Sequence, residues 1–255
     1  MVIKAHELEV ENILFGKLED SSLITSQKLA FINYKEPRTR LEVQTPEFIT
    51  ETYGIPREGP FYGTAKSRAF YKLPFCHERR QYADDLDYRQ IEKFYNKLRE
   101  IDKYCDTEDF RVRMFGEKLA KKYEYQPLIR NPEMAVAAED EEAVIEQKIY
   151  YRPPYTKVKL DLVHDTEKPN FRIIDRSAGS KEEVVLRSFS DILQHMRFLS
   201  KHRMIIHFSK MYAMETASGN EKRKYGIVLK ARAVECTNKN QPRADNDSML
   251  DLFTD

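Results

Sequence analysis

Apolar and polar residues alternate along much of the chain, which is the pattern of half-buried strands. In the first third, prolines and glycines separate four such segments, which read HELEVENILF, LAFINY, RLEVQ and SRAFYKLPF. Short strands divided by turns at this spacing are typical of a small β-sandwich or β-barrel. We therefore predict a strand in each of the four segments.

A helical period replaces this alternation near residue 84. Apolar residues recur every three or four positions from Tyr88 to Ile101, behind aspartates that can cap a helix and complement its dipole. The pattern predicts a helix from about Asp85 to Tyr104. A second helix is predicted over residues 108–123, weakened by Gly116 because glycine costs helix stability.

The second half of the chain returns to strand-like alternation. Residues 127–146 contain prolines and an acidic run, which predict an acidic connection or a mobile loop. Strand signals follow in IEQKIYYR, YTKVKLDLV, NFRIIDR and EEVVLRSF, and SDILQHMRFLSKH predicts a short helix. Finally, MIIHFSKMYAMET and RKYGIVLKARAV flank ASGNEK, so we predict a hairpin around its Gly-Asn turn.

Composition indicates a folded protein with a strongly hydrated surface. The 255 residues include 41% hydrophobic and 33% charged residues, so the chain can bury a substantial core. The apolar runs are too short for a membrane span, and the start of the chain lacks the regions of a signal peptide, which predicts an intracellular protein. The three cysteines are widely separated, which argues against a disulfide framework and a paired-cysteine zinc site.

The net charge of +1 is a cancellation between segments of opposite sign. Residues 84–146 carry 11 basic and 17 acidic side chains, whereas residues 148–234 carry 18 basic and 9 acidic side chains. A strongly basic segment beside acidic ones predicts a polyanion-binding region with acidic neighbours in the same chain.

Motifs of several enzyme classes are missing from the sequence. It contains no GxGxxG and no GxSxG, and the phosphate-loop spacing of Gly54 and Gly59 lacks the Lys and Ser or Thr that must follow. We therefore predict a protein without catalytic residues, cofactor or metal. Two groups keep a metal-dependent nuclease or other replication enzyme as an alternative: Asp84 with Asp85 and Asp87, and Glu146 with Lys148.

Aromatic and basic residues are interleaved in three segments. Single-stranded nucleic acid is bound by this combination, because cations follow the phosphates while bases stack on aromatic rings. We predict DNA contacts by Tyr34, Lys35, Arg38 and Arg40; by Phe61, Tyr62, Lys66, Arg68, Phe70, Tyr71 and Lys72; and by Tyr150, Tyr151, Arg152, Tyr155, Lys157 and Lys159. Further phosphate contacts are predicted for Lys201, Arg203, Lys222, Arg223 and Lys224.

The alternative for these aromatic residues is burial, because Tyr and Phe are good strand formers and half of them should face the core. In the segment from Phe61 to Phe75, alternation places Arg68, Phe70 and Lys72 on one strand face. An aromatic ring between two cations does not suit a core face. This face is therefore predicted to contact the ligand.

The C-terminal residues 237–255 are polar and acidic, and predict a disordered tail. A tethered acidic segment can compete with DNA for a cationic groove, and its apolar residues can dock into a partner protein. The alternative is a solubilising end without a partner. The candidate partner-binding residues are Asp245, Asp247, Asp251, Leu252, Phe253 and Asp255.

The order of these patterns resembles the single-stranded-DNA-binding replication proteins of nucleocytoplasmic large DNA viruses, of the poxvirus and African swine fever virus type. The resemblance lies in KVKLDL, FRIIDR, VVLRSFSDIL, MIIHFSKMY and YGIVLKARAV, and more loosely in LEVQTP through FYKLPF. It implies an oligonucleotide-binding (OB-fold) five-stranded barrel without catalytic residues, and cooperative coating of single strands. We thus expect one β-rich α+β domain over residues 1–236, with a helical insertion at about 84–125.

The predicted function is sequence-independent binding of single-stranded DNA during viral replication, recombination or repair, with replication proteins as partners and self-association along the DNA. RNA binding and a structural assembly role remain alternatives. The expected location is the host nucleus or a cytoplasmic viral replication site.

Overall fold

The computed structural model describes residues 2–22, 24–50, 54–75, 87–132, 153–163, 166–176, 180–197, 199–217, 219 and 221–237. Strands contribute 41% and helices 24%, and the sheet curls into a half-barrel. The prediction of a β-rich fold with few helices is therefore confirmed. The strand predicted for IEQKIYYR, residues 133–146 of the predicted connection and residues 238–255 of the predicted tail lie outside the described residues.

The strands are β1 (Val2–Lys4), β2 (Ile13–Phe15), β3 (Glu19–Asp20), β4 (Gln27–Tyr34), β5 (Glu36–Arg40), β6 (Glu42–Gln44), β7 (Phe48–Ile49), β8 (Phe70–Pro74), β9 (Tyr123–Gln126), β10 (Ile129–Arg130), β11 (Tyr155–Lys159), β12 (Arg172–Asp175), β13 (Glu182–Val184), β14 (Lys201–Met214) and β15 (Arg223–Thr237). The helices are α1 (Ala65–Arg68), α2 (Tyr88–Cys105), α3 (Glu108–Phe115), α4 (Glu117–Ala120) and α5 (Phe189–His195).

The antiparallel hairpin of β14 and β15 forms the centre of the sheet. Its register runs from Lys201 opposite Thr237 to Ala213 opposite Tyr225, as the alternating patterns of the two segments predict. The outer edge of β14 pairs with β4, β6 and β7, and that of β15 pairs with β9, β11 and β12. Strand β11 also pairs with β8 and β10. Among the described residues the connected sheet has fifteen strands, more than the five of the predicted barrel.

Helix α2 packs against the sheet near β7 and β10. Its N-cap is Asp87, whose carboxylate accepts a hydrogen bond from the backbone N–H of Gln90 at 3.2 Å, so the predicted capping by an aspartate is confirmed. The buried side of α2 carries Phe94, which contacts Phe48 of β7 and Phe75 after β8. Along β14 and β15, buried residues alternate with partly exposed ones, so the two faces of the hairpin differ in burial.

The second predicted helix is divided at Gly116. Its φ of 77° lies in the left-handed region that favours glycine, and it separates α3 from α4. The helical region ends at Ala120, and Tyr123 already begins β9, so the prediction of helix to residue 123 was too long.

Two of the predicted strands begin later than expected. In HELEVENILF, Ala5–Glu7 and Val10–Asn12 form 3-10 turns ahead of β2, and the buried residues Ala5 and Leu8 follow a period of three. In SRAFYKLPF, Thr64 caps helix α1 by accepting a hydrogen bond from the Ser67 N–H at 3.1 Å. The strand therefore starts only at Phe70.

Candidate nucleic-acid interface

The pairing of β8 with β11 brings together two of the three segments that the sequence singled out. In this antiparallel ladder Lys72 lies opposite Lys157, and Phe70 lies opposite Lys159. Residues directly opposite each other share one face of a sheet. Two stretches that are distant in sequence therefore supply one surface of lysines and aromatic rings.

The rings and ammonium groups of this surface are in contact. The Nζ atom of Lys157 lies 3.6 Å from the centroid of the Phe70 ring, and that of Lys72 lies 4.9 Å from the centroid of Tyr155. Tyr62 adds an edge-to-face contact with Phe70, at 5.8 Å between centroids. These cation–π contacts hold both ammonium groups in position. Phe70 itself is buried, so it supports Lys157 and does not offer its face to a base.

The neighbouring strands extend this surface. Arg130 of β10 lies opposite Tyr155, and Lys230 of β15 lies opposite Lys159. On the next strand, β14, Lys210 lies opposite Val228 and belongs to the solvent-facing side. We call the resulting set the basic face; it consists of Lys72, Arg130, Lys157, Lys159, Lys210 and Lys230.

The positive charges of the basic face act on one another. Partial burial, Arg130 and Lys72 all lower the pKa of Lys157. Similarly, burial and the charges of Lys230 and Lys159 lower the pKa of Lys210, an effect that Asp161 opposes only in part. A lysine whose pKa is depressed by other cations gains stability when an anion approaches. The electrostatics therefore favour a polyanion at this face.

One carboxylate, Asp161, is built into the basic face. It accepts a hydrogen bond from Lys230 at 3.0 Å and lies 3.5 Å from Lys159. Burial opposes its ionisation, but the two lysines outweigh this and lower the pKa of Asp161. Neither Lys157 nor Lys210 forms an ion pair with any part of the chain that the structure describes. The face keeps an excess of positive charge.

Sequence reasoning missed Arg130, Lys210 and Lys230. Arg130 lies within the predicted acidic connection, and the other two lie in the predicted hairpin, outside the three segments of interleaved aromatic and basic residues. The alternation of β14 and β15 was the available signal, because it already places Lys210 and Lys230 on polar positions of their strands.

Besides Phe70, two more predicted contact residues are buried, and none of the three can stack a base. Tyr71 has 0% exposure, and its hydroxyl lies 2.7 Å from Thr50 Oγ1 and 3.2 Å from His202 Nδ1. Tyr34 is also buried, and its hydroxyl accepts a hydrogen bond from the Glu9 N–H at 3.2 Å. A ring enclosed by the core has no face on which a base can stack.

The predicted position of Arg68 is also corrected. It belongs to α1 and does not share a strand face with Phe70 and Lys72. Its Nε donates to the Pro56 carbonyl at 2.9 Å, and its guanidinium lies near Glu58 and over the Phe189 ring. Through these contacts Arg68 stabilises the loop before β8 and is not positioned as a DNA contact.

Other predicted contacts lie at separate places on the surface. Phe61 is 89% exposed in the loop before β8, where Lys66 is exposed on α1. Lys35 connects β4 to β5, and Arg38 and Arg40 lie on β5; all three are exposed. Tyr150, Tyr151 and Arg152 lie outside the described residues, as do the tail residues and the alternative nuclease groups Asp84 with Asp85 and Glu146 with Lys148.

The predicted phosphate contacts of the hairpin are largely committed to other residues. Arg203 shares the carboxylate of Glu235 with Arg176 and Lys181. Lys224 ion-pairs with Glu124 at 2.6 Å and with Glu221 at 3.4 Å. Arg223 lies over the Tyr123 ring, Lys222 is exposed and Lys201 is half-buried in β14.

A cleft of about 450 Å³ lies beside the first residues of β15 and strand β9. Its lining mixes both signs of charge, including Asp106, which ion-pairs with Arg111 at 2.9 Å, and Glu124, which ion-pairs with Lys224. Within the described ranges, no group of three His, Cys, Asp or Glu side chains is placed to hold a metal. The mixed charges make this cleft a poorer polyanion site than the basic face.

A comparison with known proteins finds a relative of viral origin. No family model matches the chain. Over 235 residues it is 26% identical to an uncharacterized protein of Acanthamoeba polyphaga mimivirus, in an alignment that covers 82% of this chain and 55% of the relative. The chain thus spans about half the length of the curated relative it matches. In the part of the chain that is described, no helix is long and apolar enough to cross a membrane.

Proposed function

We propose that the protein binds single-stranded DNA without catalysis, and that it coats unpaired strands during viral DNA replication, recombination or repair. The observation that carries the proposal is the β8–β11 pair, where Lys157 lies over Phe70 and Lys72 lies over Tyr155. Lysines held in position by rings, on a face with excess positive charge, suit a phosphate backbone.

The viral setting is supported by the mimivirus relative, which is itself uncharacterized. Within the curled sheet, we infer that a five-stranded oligonucleotide-binding barrel provides the platform. Replication proteins would bind through the acidic tail, and neighbouring copies would associate along the strand. The site of action would be the place of viral replication in the host nucleus or cytoplasm.

The proposal is tested by measuring the affinity for single-stranded DNA, duplex DNA and RNA of equal length across a range of salt concentrations. We expect single-stranded DNA to bind most tightly, with log K falling by about 0.7 per unit of log salt for each phosphate neutralised. Stronger binding of RNA would transfer the proposal to the RNA-binding alternative. An absence of affinity for all three at low salt would favour a structural assembly role.

A nuclease assay separates the proposal from the catalytic alternative. Labelled DNA is incubated with Mg²⁺ or Mn²⁺, and we expect it to remain intact. Degradation that is lost in the Glu146→Ala variant would overturn the non-catalytic assignment. Asp87 is a weaker candidate for metal binding than its sequence context suggested, because its carboxylate caps α2.

A further inference from the structure

Phe31 is an exposed aromatic residue at the far side of the sheet from β8. It lies on β4 with 63% of its surface exposed, although β4 is otherwise well packed. In the antiparallel pairing of β4 with β14, Phe31 is directly opposite Lys210. An exposed ring on the solvent face of a sheet, beside a lysine of the basic face, is not explained by the core.

A row of residues in register leads from the β8–β11 pair to β14. Phe70 lies opposite Lys159, Lys159 lies opposite Lys230, and Lys230 lies opposite His207. The row continues to Glu42 of β6, whereas Lys210, the partner of Phe31, lies three residues further along β14. The charges of Lys230 and Lys159 both act on Lys210, which places the three lysines near one another. Four steps between adjacent strands, from β8 to β4, span roughly 19 Å at about 4.8 Å per step.

Building on the proposed function, we propose that Phe31 stacks a base of the bound strand, and that the nucleic acid crosses the sheet from β8 over β11, β15 and β14 to β4. The lysines of the basic face neutralise phosphates along this path. Phe31 then provides the contact that distinguishes single strands from duplex DNA, because the bases of a duplex are already stacked on one another.

The charge around Phe31 favours a nucleic acid over an apolar protein segment as the occupant. Docking surfaces for proteins are marked by contiguous apolar patches. Phe31 instead adjoins Lys210, which has no ion pair within the described residues and whose pKa is lowered by burial and by two other lysines. A stacked base would cover the exposed ring of Phe31, and a neighbouring phosphate of the same strand would neutralise Lys210.

The experiment compares three probes of equal length: single-stranded DNA, the same strand without bases, and duplex DNA. For Phe31→Ala we expect affinity for single-stranded DNA to fall by about fivefold to a hundredfold, the usual range for loss of one stacked base. Affinity for the abasic strand should be unchanged, and Phe31→Tyr should keep the affinity for single-stranded DNA. Val185→Ala is the matched control, because Val185 is 75% exposed and lies outside the basic face.

The double variant Lys159→Ala/Lys230→Ala separates failure of this inference from failure of the proposed function. If it loses affinity for all three probes while Phe31→Ala behaves like the wild type, the basic face binds DNA and the role of Phe31 is refuted. An equal loss on normal and abasic strands in Phe31→Ala also refutes stacking. If the lysine variant binds all probes as the wild type does, the proposed function itself fails.

Discussion

Lys72 and Lys157 lie directly opposite each other across β8 and β11, so two like charges occupy one cross-strand position. Such a pair destabilises a sheet by about 0.2–1 kcal/mol. A local conflict of this kind is expected where a site serves binding at the expense of stability.

We therefore predict that Lys157→Met weakens DNA binding with little change in stability. Loss of the repulsion should raise the free energy of unfolding by up to about 1 kcal/mol, and loss of the cation–π contact with Phe70 should lower it by a similar amount, while affinity for single-stranded DNA falls. Urea unfolding and fluorescence anisotropy measure the two quantities. The control Lys93→Met, at an exposed position of α2, should change neither. A variant that binds more weakly because it is less stable would contradict this account.

The second prediction concerns Tyr71, which the sequence suggested as a DNA contact. Tyr71→Ala should cost about 3–5 kcal/mol of stability, because it opens a large cavity in the core. Tyr71→Phe removes the hydrogen bonds to Thr50 and His202 and should cost about 1 kcal/mol without changing DNA affinity. Weaker DNA binding by a fully folded Tyr71→Phe variant would show that Tyr71 does contribute to DNA binding and would contradict its assignment to the core.

The third prediction is a pH dependence of stability that arises from His202. Burial lowers its pKa from 6.5 to about 4 in the folded protein. Between these values the unfolded state binds the proton more readily, so stability falls as the pH decreases from 6.5 to 4, by about 3 kcal/mol in all. Urea unfolding at several pH values should show a smaller dependence in His202→Gln. The same dependence in both proteins would exclude His202 as the cause.

A fourth prediction links DNA affinity to pH through His207, which lies in the row across the sheet. Burial lowers its pKa; Glu42 opposes this, whereas Arg232, Arg40 and Lys230 lower it further. A bound polyanion favours the protonated ring, so affinity should increase as the pH falls towards the lowered pKa of His207. His207→Gln should remove this increase, and His6→Gln, at an exposed position near the N-terminus, should retain it. An unchanged pH profile in His207→Gln would place the DNA elsewhere.

The fifth prediction concerns the acidic tail, whose last eleven residues, Asp245 to Asp255, carry four aspartates and no basic residue. Removal of this segment should leave the fold intact and either tighten DNA binding or relax its salt dependence, because a tethered competitor is lost. Binding measurements on the truncated chain test the competition. Pull-down of replication proteins tests the partner role. If neither changes, the tail has no regulatory function.

Sequence patterns predicted the elements whose period is regular. The α2 helix follows from its apolar spacing and the capping aspartate, and the β14–β15 hairpin follows from two alternating segments around a turn. The four strands of the first third were only partly predicted, because local capping at Thr64 and a period of three at Ala5 and Leu8 override the alternation.

The candidate interface was predictable only in part, because composition shows which residue types are present but not which of them are exposed. Composition identified Lys72, Tyr155, Lys157 and Lys159, but it could not separate exposed rings from buried ones. Tyr71 and Phe31 illustrate the difference, since both are aromatic strand residues and only Phe31 is exposed. The neighbours on the basic face depend on which strands pair, and the parallel pairing of β11 with β15 has no signature in the local sequence.

The central claim is that the basic face neutralises the phosphates of single-stranded DNA. The most direct test is the salt dependence of binding by the wild type and by Lys72→Ala/Lys157→Ala/Lys159→Ala. We predict weaker binding by the triple variant and a log-log salt slope reduced by about 2, which corresponds to three lost phosphate contacts at about 0.7 each. A folded triple variant with the affinity and slope of the wild type would contradict the account.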